Sequence, residues 1–497
     1  MTTQQVTESS KKPMCLCKSK TQHYISLFLL YSIPLFAFIA FSSLSAYWVQ
    51  APYDGWRIYE LIILMAFGAY LICNKKINAG LFSAKTNKVM AIILIVMASL
   101  VACSSYYAQY SQRSIADAAL NFLLASGIYA QAVLFRKNPS MAPKIAAWLA
   151  VLPMLSLIFL PIAIYDISQG RPGAWTQSFT NIRMLDDALL PCLFLLWQRP
   201  AWLSKNPSKT KLFNNLFTSV IYTISVIYIL SFLLHGARAG LLAIGIALIC
   251  IALVRLKEWR HLLLPMNSII IASICFFIFF QNQVSTSGGS ALIRGGSSGR
   301  IELWNKAIQL WWQQPILGTG GNNFSLNDPV FLIMHPHNIA FQLLSEWGIA
   351  GVLALLLVIP LIVLIIKKQK TLPTFVLASI LALAVNAMLS GTLIYPVSQL
   401  LALWPLAWVI SLLPIKNVNP SISNKALPSN PLSINTIFKI LVGMAIVAML
   451  TLHGRDMFCS NCMSADWEGA PRFWDAGRAL HLIPYDINKI RKAPDQL

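Results

Sequence analysis

The segment MHPHNIAFQLLSEWGIAG carries two histidines, His335 and His337, on either side of Pro336, with Asn338 directly after them. An imidazole that titrates near neutral pH can take a proton from a hydroxyl. The same two side chains could serve a metal, but no third and fourth ligand stand at suitable spacing, so the reading assigns no metal. Each histidine could also be a hydrogen-bonded structural residue. Arginines form the second group: Arg238 in the short turn HGARAG, Arg300 at the end of the glycine- and serine-rich VSTSGGSALIRGGSSGR, and Arg183 ahead of Asp186 and Asp187. A guanidinium is a planar fork of donors that grips a phosphate or carboxylate in two places. Arg238 could equally be a helix-end residue reaching for the lipid surface. Between these groups lies PILGTGGNNF, where Gly318, Gly320 and Gly321 permit backbone turns closed to other residues. No P-loop, dinucleotide fingerprint, GxSxG elbow or HExxH is present. Chemistry here would need a preactivated substrate and electrostatic help.

These residues are positioned by very apolar elements. The chain has 497 residues, 57% hydrophobic and 11% charged, with mean hydropathy +0.64. Soluble proteins carry about 25% charged residues. A soluble enzyme, a disordered chain and a secreted disulfide scaffold are excluded. Apolar runs, many long enough to cross a bilayer, occupy 25–49, 58–73, 89–103, 115–135, 145–165, 185–198, 216–234, 240–254, 262–280, 345–366, 373–393, 396–413 and 435–452. The expected fold is all-α: a polytopic membrane protein with 12–13 transmembrane helices and one large outer loop. The divisions are an N-terminal tail (1–24), the first nine spans (25–280), the loop (281–344), the remaining spans (345–452) and a C-terminal tail (453–497). The first run exceeds a signal-peptide core of about 7–15 residues, so it reads as a retained span entered from the cytoplasm.

The net charge of +21 does not point to nucleic acid, because no basic stripe is interleaved with surface aromatics. Lys and Arg concentrate in alternate short loops, 74–88, 136–144, 199–211, 255–261, 367–370 and 414–430, which marks these as cytoplasmic. The opposite segments hold Arg57, Arg113, Arg171, Arg183, Arg238, Arg294 and Arg300, but only Lys306 among lysines. That bias toward Arg favours an outward-facing site for a phosphorylated or acidic group. Glu60, Asp117, Asp186, Asp187 and Glu346 fall at outer ends of spans, and the span middles are nearly uncharged. A coupled pump or a flippase needs polar groups near the midplane, so both are disfavoured. In RIELWNKAIQLWWQQ, Ile301, Trp304, Ile308, Leu310 and Trp311 recur at helical spacing, as in a helix lying at the membrane interface. Cys459 and Cys462 in the tail fit a local disulfide, although a CxxC can also be a redox or half-zinc motif. The segment RFWDAGRALHLIPYD fits a cap over the outer face or a contact with an acceptor.

Together the motifs resemble the O-antigen ligase and O-antigen polymerase superfamily of bacterial inner-membrane glycosyltransferases, over about residues 215–366. The most specific part is His337-Asn338, then nine intervening residues, then Gly348; SGRIELWNKAIQLWWQQPILGTGGNNF resembles the preceding Arg–Trp–PxxGxG block. GARAG resembles the family's Ser-Arg-Gly turn, with Ala237 in place of Ser. SFTNIRMLDD and HPHN followed by EWG resemble the branch that includes type IV pilin O-oligosaccharyltransferases. The resemblance implies a glycan donor on undecaprenyl pyrophosphate at the periplasmic leaflet and an acceptor hydroxyl, on a pilin-like protein or else on lipid A core or a growing glycan. It implies no cofactor and inversion at the sugar carbon. His337 would be the base, with His335 second. Arg238, Arg300 and Arg183 would bind the pyrophosphate, and Asn338, Trp304, Gly318 and Gly320 would support them.

Overall fold

A computed structural model describes residues 13–42, 52–74, 84–158, 161–162, 164–165, 169, 179, 182–198, 211–280, 299–324, 335–414 and 434–458. These residues are all-helical, with no strand among them. In chain order the helices are α1 (Pro13–Phe41), α2 (Pro52–Cys73), α3 (Ala84–Tyr107), α4 (Ser111–Lys137), α5 (Met141–Val151), α6 (Met154–Leu157), α7 (Ile182–Trp197), α8 (Lys211–Leu234), α9 (Arg238–Val254), α10 (Leu263–Phe279), α11 (Arg300–Gln313), α12 (Ile339–Trp347), α13 (Ile349–Lys368), α14 (Thr374–Ala387), α15 (Pro396–Leu412) and α16 (Ile434–Phe458). Lipid offers no partner for a bare peptide group, so the apolar runs must satisfy their backbone internally as helices.

Among the described residues eight helices are long and apolar enough to cross a membrane, and four more apolar stretches are shorter: Met141–Leu157, Arg238–Val254, Thr374–Ala387 and Pro396–Leu412. The chain is a multi-pass membrane protein. Most of the expected apolar runs fall on helix, but the run 145–165 is broken by a turn at 152–153 and the run 373–393 leaves helix after Ala387. The first described helix ends at Phe41 rather than at residue 49. The run 345–366 is split at Gly348, whose φ of +52° no continuing helix accepts; the span starts at Ile349, and α12 is a separate short helix straddling the 344/345 division.

Helices α4, α7 and α15 form the centre. Nearly every side chain of α7 and α15 is buried. Small residues on α4 let its neighbours close in: a Cβ at Gly127 would lie 2.9 Å from Leu64 of α2 and 3.3 Å from Leu403 of α15. By contrast α13 turns Val352, Leu355, Leu356 and Ile359 outward, as a lipid-facing span does. At one end of the bundle, basic side chains close helix C-termini, where carbonyls lack partners. Arg136 donates to Ile410 O and Ser411 O, Arg255 to Leu372 O, and Lys439 to Asn74 O. The opposite end gathers the N-termini of α2, α4, α7, α9, α12 and α15, and with them most of the buried polar groups.

Two expectations are corrected at that end. Arg57, read as an outer-loop cation, is fully buried in α2. It pairs with Glu60 and donates to Gln399 Oε1 (2.8 Å), Ile394 O (2.8 Å) and Tyr53 Oη (3.2 Å), so it ties α2 to α15. The stripe expected on α11 is two faces: Leu303, Ala307 and Leu310 are buried, whereas Ile301 and Ile308 are exposed.

Candidate active site

The histidine turn is held from both sides. Asn338 caps α12, its Oδ1 accepting the backbone N–H groups of Ala340 (3.0 Å) and Phe341 (3.1 Å), which fills two of the donors a helix start leaves open. Trp304 of α11 donates its indole N–H to Pro336 O at 3.1 Å, and its ring lies 5.7 Å from that of Phe341. His337 has φ +52°, a left-handed conformation rare outside glycine. Its backbone N–H donates to His335 Nδ1 at 3.2 Å. With Nδ1 accepting, a neutral His335 carries its proton on Nε2. His335 is buried rather than exposed, its ring 4.2 Å from that of His337 and 6.0 Å from that of Tyr395.

The glycine-rich turn locks onto the far end of α12. Thr319 N donates to Ser345 O (3.0 Å), Gly320 N to Glu346 O (2.9 Å) and Ile349 N to Ile316 O (3.0 Å). Gly318 has φ +69°, and a Cβ there would fall 2.4 Å from the carbonyl carbon of Glu346. No side chain fits so close to backbone, which explains why the turn is built from glycine. Gly321 N donates to Ser114 Oγ of α4 (2.9 Å), and Phe324 N to Glu346 Oε1 (3.3 Å).

The three arginines act on one another on the side of the histidine turn. Arg300 opens α11 directly after Gly299, itself at φ +73°. Burial lowers its pKa, and the charges of Arg238 and Arg183 lower it further; Asp187 partly offsets them. His337 is pushed down to about 4, by burial first and then by the Arg300 guanidinium. Arg183, Arg238, Arg300 and His337 therefore share one electrostatic neighbourhood, although they come from α7, α9, α11 and the turn before α12. Acidic residues hold the frame. Asp186 accepts from Arg183 (3.4 Å) and bonds His235 Nδ1 (2.6 Å), linking α7 to the residue three before Arg238. Asp187 accepts from Asn386 (2.6 Å), Ser390 (2.8 Å) and Thr392 (3.2 Å) between α14 and α15.

Of the expected residues, His335, His337, Asn338 and Trp304 lie at the start of α12 and Arg183, Arg238 and Arg300 couple to that side, whereas Gly318 and Gly320 pack at the far end of α12. Cys459 and Cys462 fall outside the described residues, as do 281–298 and 325–334 of the loop. Sequence reasoning assigned no role to the Asp186–His235 pair, to the polar clasp on Asp187, or to Tyr395. The first had a visible signal in the adjacent aspartates and in the His of HGARAG; Tyr395 had none.

Residues 223–356 match the family model for O-antigen ligase. Over this segment the chain is similar to O-antigen ligases. No curated protein and no solved structure matches it. The O-antigen ligase match runs from α8 into α13 and includes Arg238, Arg300, His335 and His337; Arg183, Asp186, Asp187 and Tyr395 lie outside it. It indicates a ligase of glycosyltransferase type in a multi-pass membrane protein.

Proposed function

We propose that the protein transfers a glycan from an undecaprenyl-pyrophosphate donor to an acceptor hydroxyl at the periplasmic face of the bacterial inner membrane. The observation that carries this reading is the convergence of three guanidiniums on the side of His337. A neutral imidazole has a free lone pair, and at pH 7 the lowered pKa keeps His337 in that form. The acceptor O–H gives its proton to His337 as its oxygen bonds the anomeric carbon. The bond from that carbon to the pyrophosphate breaks, and its electron pair leaves with the phosphate. Direct displacement inverts the carbon. Arg300, Arg238 and Arg183 supply positive charge where the leaving charge grows, a task that makes no demand on a metal. The donor's negative charge also offsets the repulsion between Arg300 and a protonated His337, so the base strengthens once the donor is bound.

The loop charges support this sidedness, with the end that Arg136, Arg255 and Lys439 close as the cytoplasmic one. Similarity to the pilin oligosaccharyltransferase branch favours a protein hydroxyl as acceptor. The family description favours a second reading, ligation to lipid A core. Blots of pilin and of lipopolysaccharide ladders in a deletion strain separate them: loss of pilin glycan supports the first, loss of the ladder with normal pilin the second. His337→Ala should abolish transfer while the protein remains inserted at wild-type level. Wild-type transfer by that variant would overturn the mechanism.

A further inference from the structure

Helix α11 has three faces. Leu303, Ala307 and Leu310 are buried, packed with Phe324 and Phe341. Glu302, Asn305, Gln309 and Gln313 form an exposed polar strip. A third strip, Ile301, Ile308 and Trp312, is spaced by seven and then four residues, which places it on one side of a helix. It is apolar and exposed, Trp312 to 76%. A contiguous apolar surface of this kind marks an interface.

What it adjoins identifies its cover. Just past the end of α11, exposed Ile316 accepts a backbone hydrogen bond from Ile349, the first residue of α13. From Ile349 the exposed surface runs on through Val352, Leu355, Leu356 and Ile359, down a helix long and apolar enough to span the bilayer. The strip is therefore continuous with a surface that lipid chains cover. On the other flank the turn after α11 packs Gly320 against Ala108, beside Tyr106 and Tyr107 at the end of α3, Tyr106 being 77% exposed. Aromatic rings with polar tips collect at the headgroup level of a membrane.

We propose that the Ile301–Ile308–Trp312 side of α11 is embedded in the headgroup layer of the leaflet at the site end, with lipid as its partner. Only a corollary rests on the proposed transfer: Arg300, the first residue of α11, is held at the depth of lipid phosphates, so a lipid-linked diphosphate reaches the arginines sideways from within the leaflet.

The test places a diazirine-bearing residue at position 308, 312 or, as control, 309 of the full-length chain in nanodiscs of phosphatidylethanolamine and phosphatidylglycerol. After irradiation, mass spectrometry should find phospholipid adducts at 308 and 312 and chiefly water adducts at 309. Equal lipid yield at all three positions, water adducts alone at 308 and 312, or a cross-link to another polypeptide there would overturn the proposal. The corollary is read separately. Trp312→Ser with Ile308→Ser should raise the donor KM about tenfold, a loss of about 1.4 kcal/mol, with kcat unchanged; a fall in kcat alone would overturn lateral delivery. The cross-link is read without any transfer, so the embedding and the transfer reaction fail independently.

Discussion

At the scale of single residues, the site works by placing like charges together. Arg183 and Arg238 both act on Arg300, and Arg300 acts on His337. Such crowding opposes folding and is relieved when an anion arrives. Arg300→Ala should lower transfer by about 100- to 1,000-fold, the usual cost of one electrostatic donor at a leaving group. Arg300→Lys should recover little, because an ammonium lacks the planar fork; this is checked by turnover on purified donor. His337 also predicts a pH dependence of stability. Its folded pKa of about 4 lies below its ordinary value of 6.5, so the unfolded chain binds more protons in between. The stability it contributes is complete above pH 6.5 and is lost as pH falls toward 4, by an amount on the order of 3 kcal/mol. Thermal unfolding in detergent should follow that slope, and His337→Gln should flatten it. The histidines and arginines could be picked out from the sequence because few residue types do such chemistry. Their partners could not: Asp187 meets Asn386, Ser390 and Thr392 across some 200 positions, and no local pattern encodes that pairing.

At the scale of elements, α12 is a nine-residue helix fixed at both ends, by Asn338 at its start and by the glycine turn and Gly348 at its finish. Gly348→Ala would set a Cβ 2.5 Å from Ile316 O at φ +52°. Left-handed strain and overpacking together should cost about 2–4 kcal/mol, and transfer should fall because α12 carries the histidine turn. Gly245 in α9 is the control: nothing lies within 4 Å of a Cβ there, so Gly245→Ala should leave unfolding temperature and transfer near wild type or slightly raise stability. The glycine spacing was legible in the sequence as a turn. The break at Gly348 was not, because hydropathy has no term for φ. The faces of α11 were misread for a related reason. Periodicity locates apolar positions, but a helix at a membrane boundary can bury one apolar face in protein and offer another to lipid.

At the scale of the whole molecule, the all-helical, multi-pass architecture was legible because a bilayer allows few alternatives to an apolar helix. Which helices occupy the centre was not, since α7 and α13 are both apolar and differ only in what surrounds them. The polar tie across the bundle is Arg57, which bridges α2 and α15 through Gln399 and Ile394. Arg57→Ala leaves Glu60 buried without its guanidinium and should destabilise the protein by about 3–5 kcal/mol, whereas replacing both by apolar residues of similar volume should restore much of that; chemical unfolding of the two variants in detergent decides. The tie has a consequence for biosynthesis. Arg57 enters the bilayer early, with Asp54 and Glu60 nearby in the chain, while Gln399 leaves the ribosome 342 residues later. A polypeptide arrested before that point lacks the amide and carbonyl acceptors that complete the guanidinium's hydrogen bonds, so its second helix is less well solvated in lipid than in the finished protein.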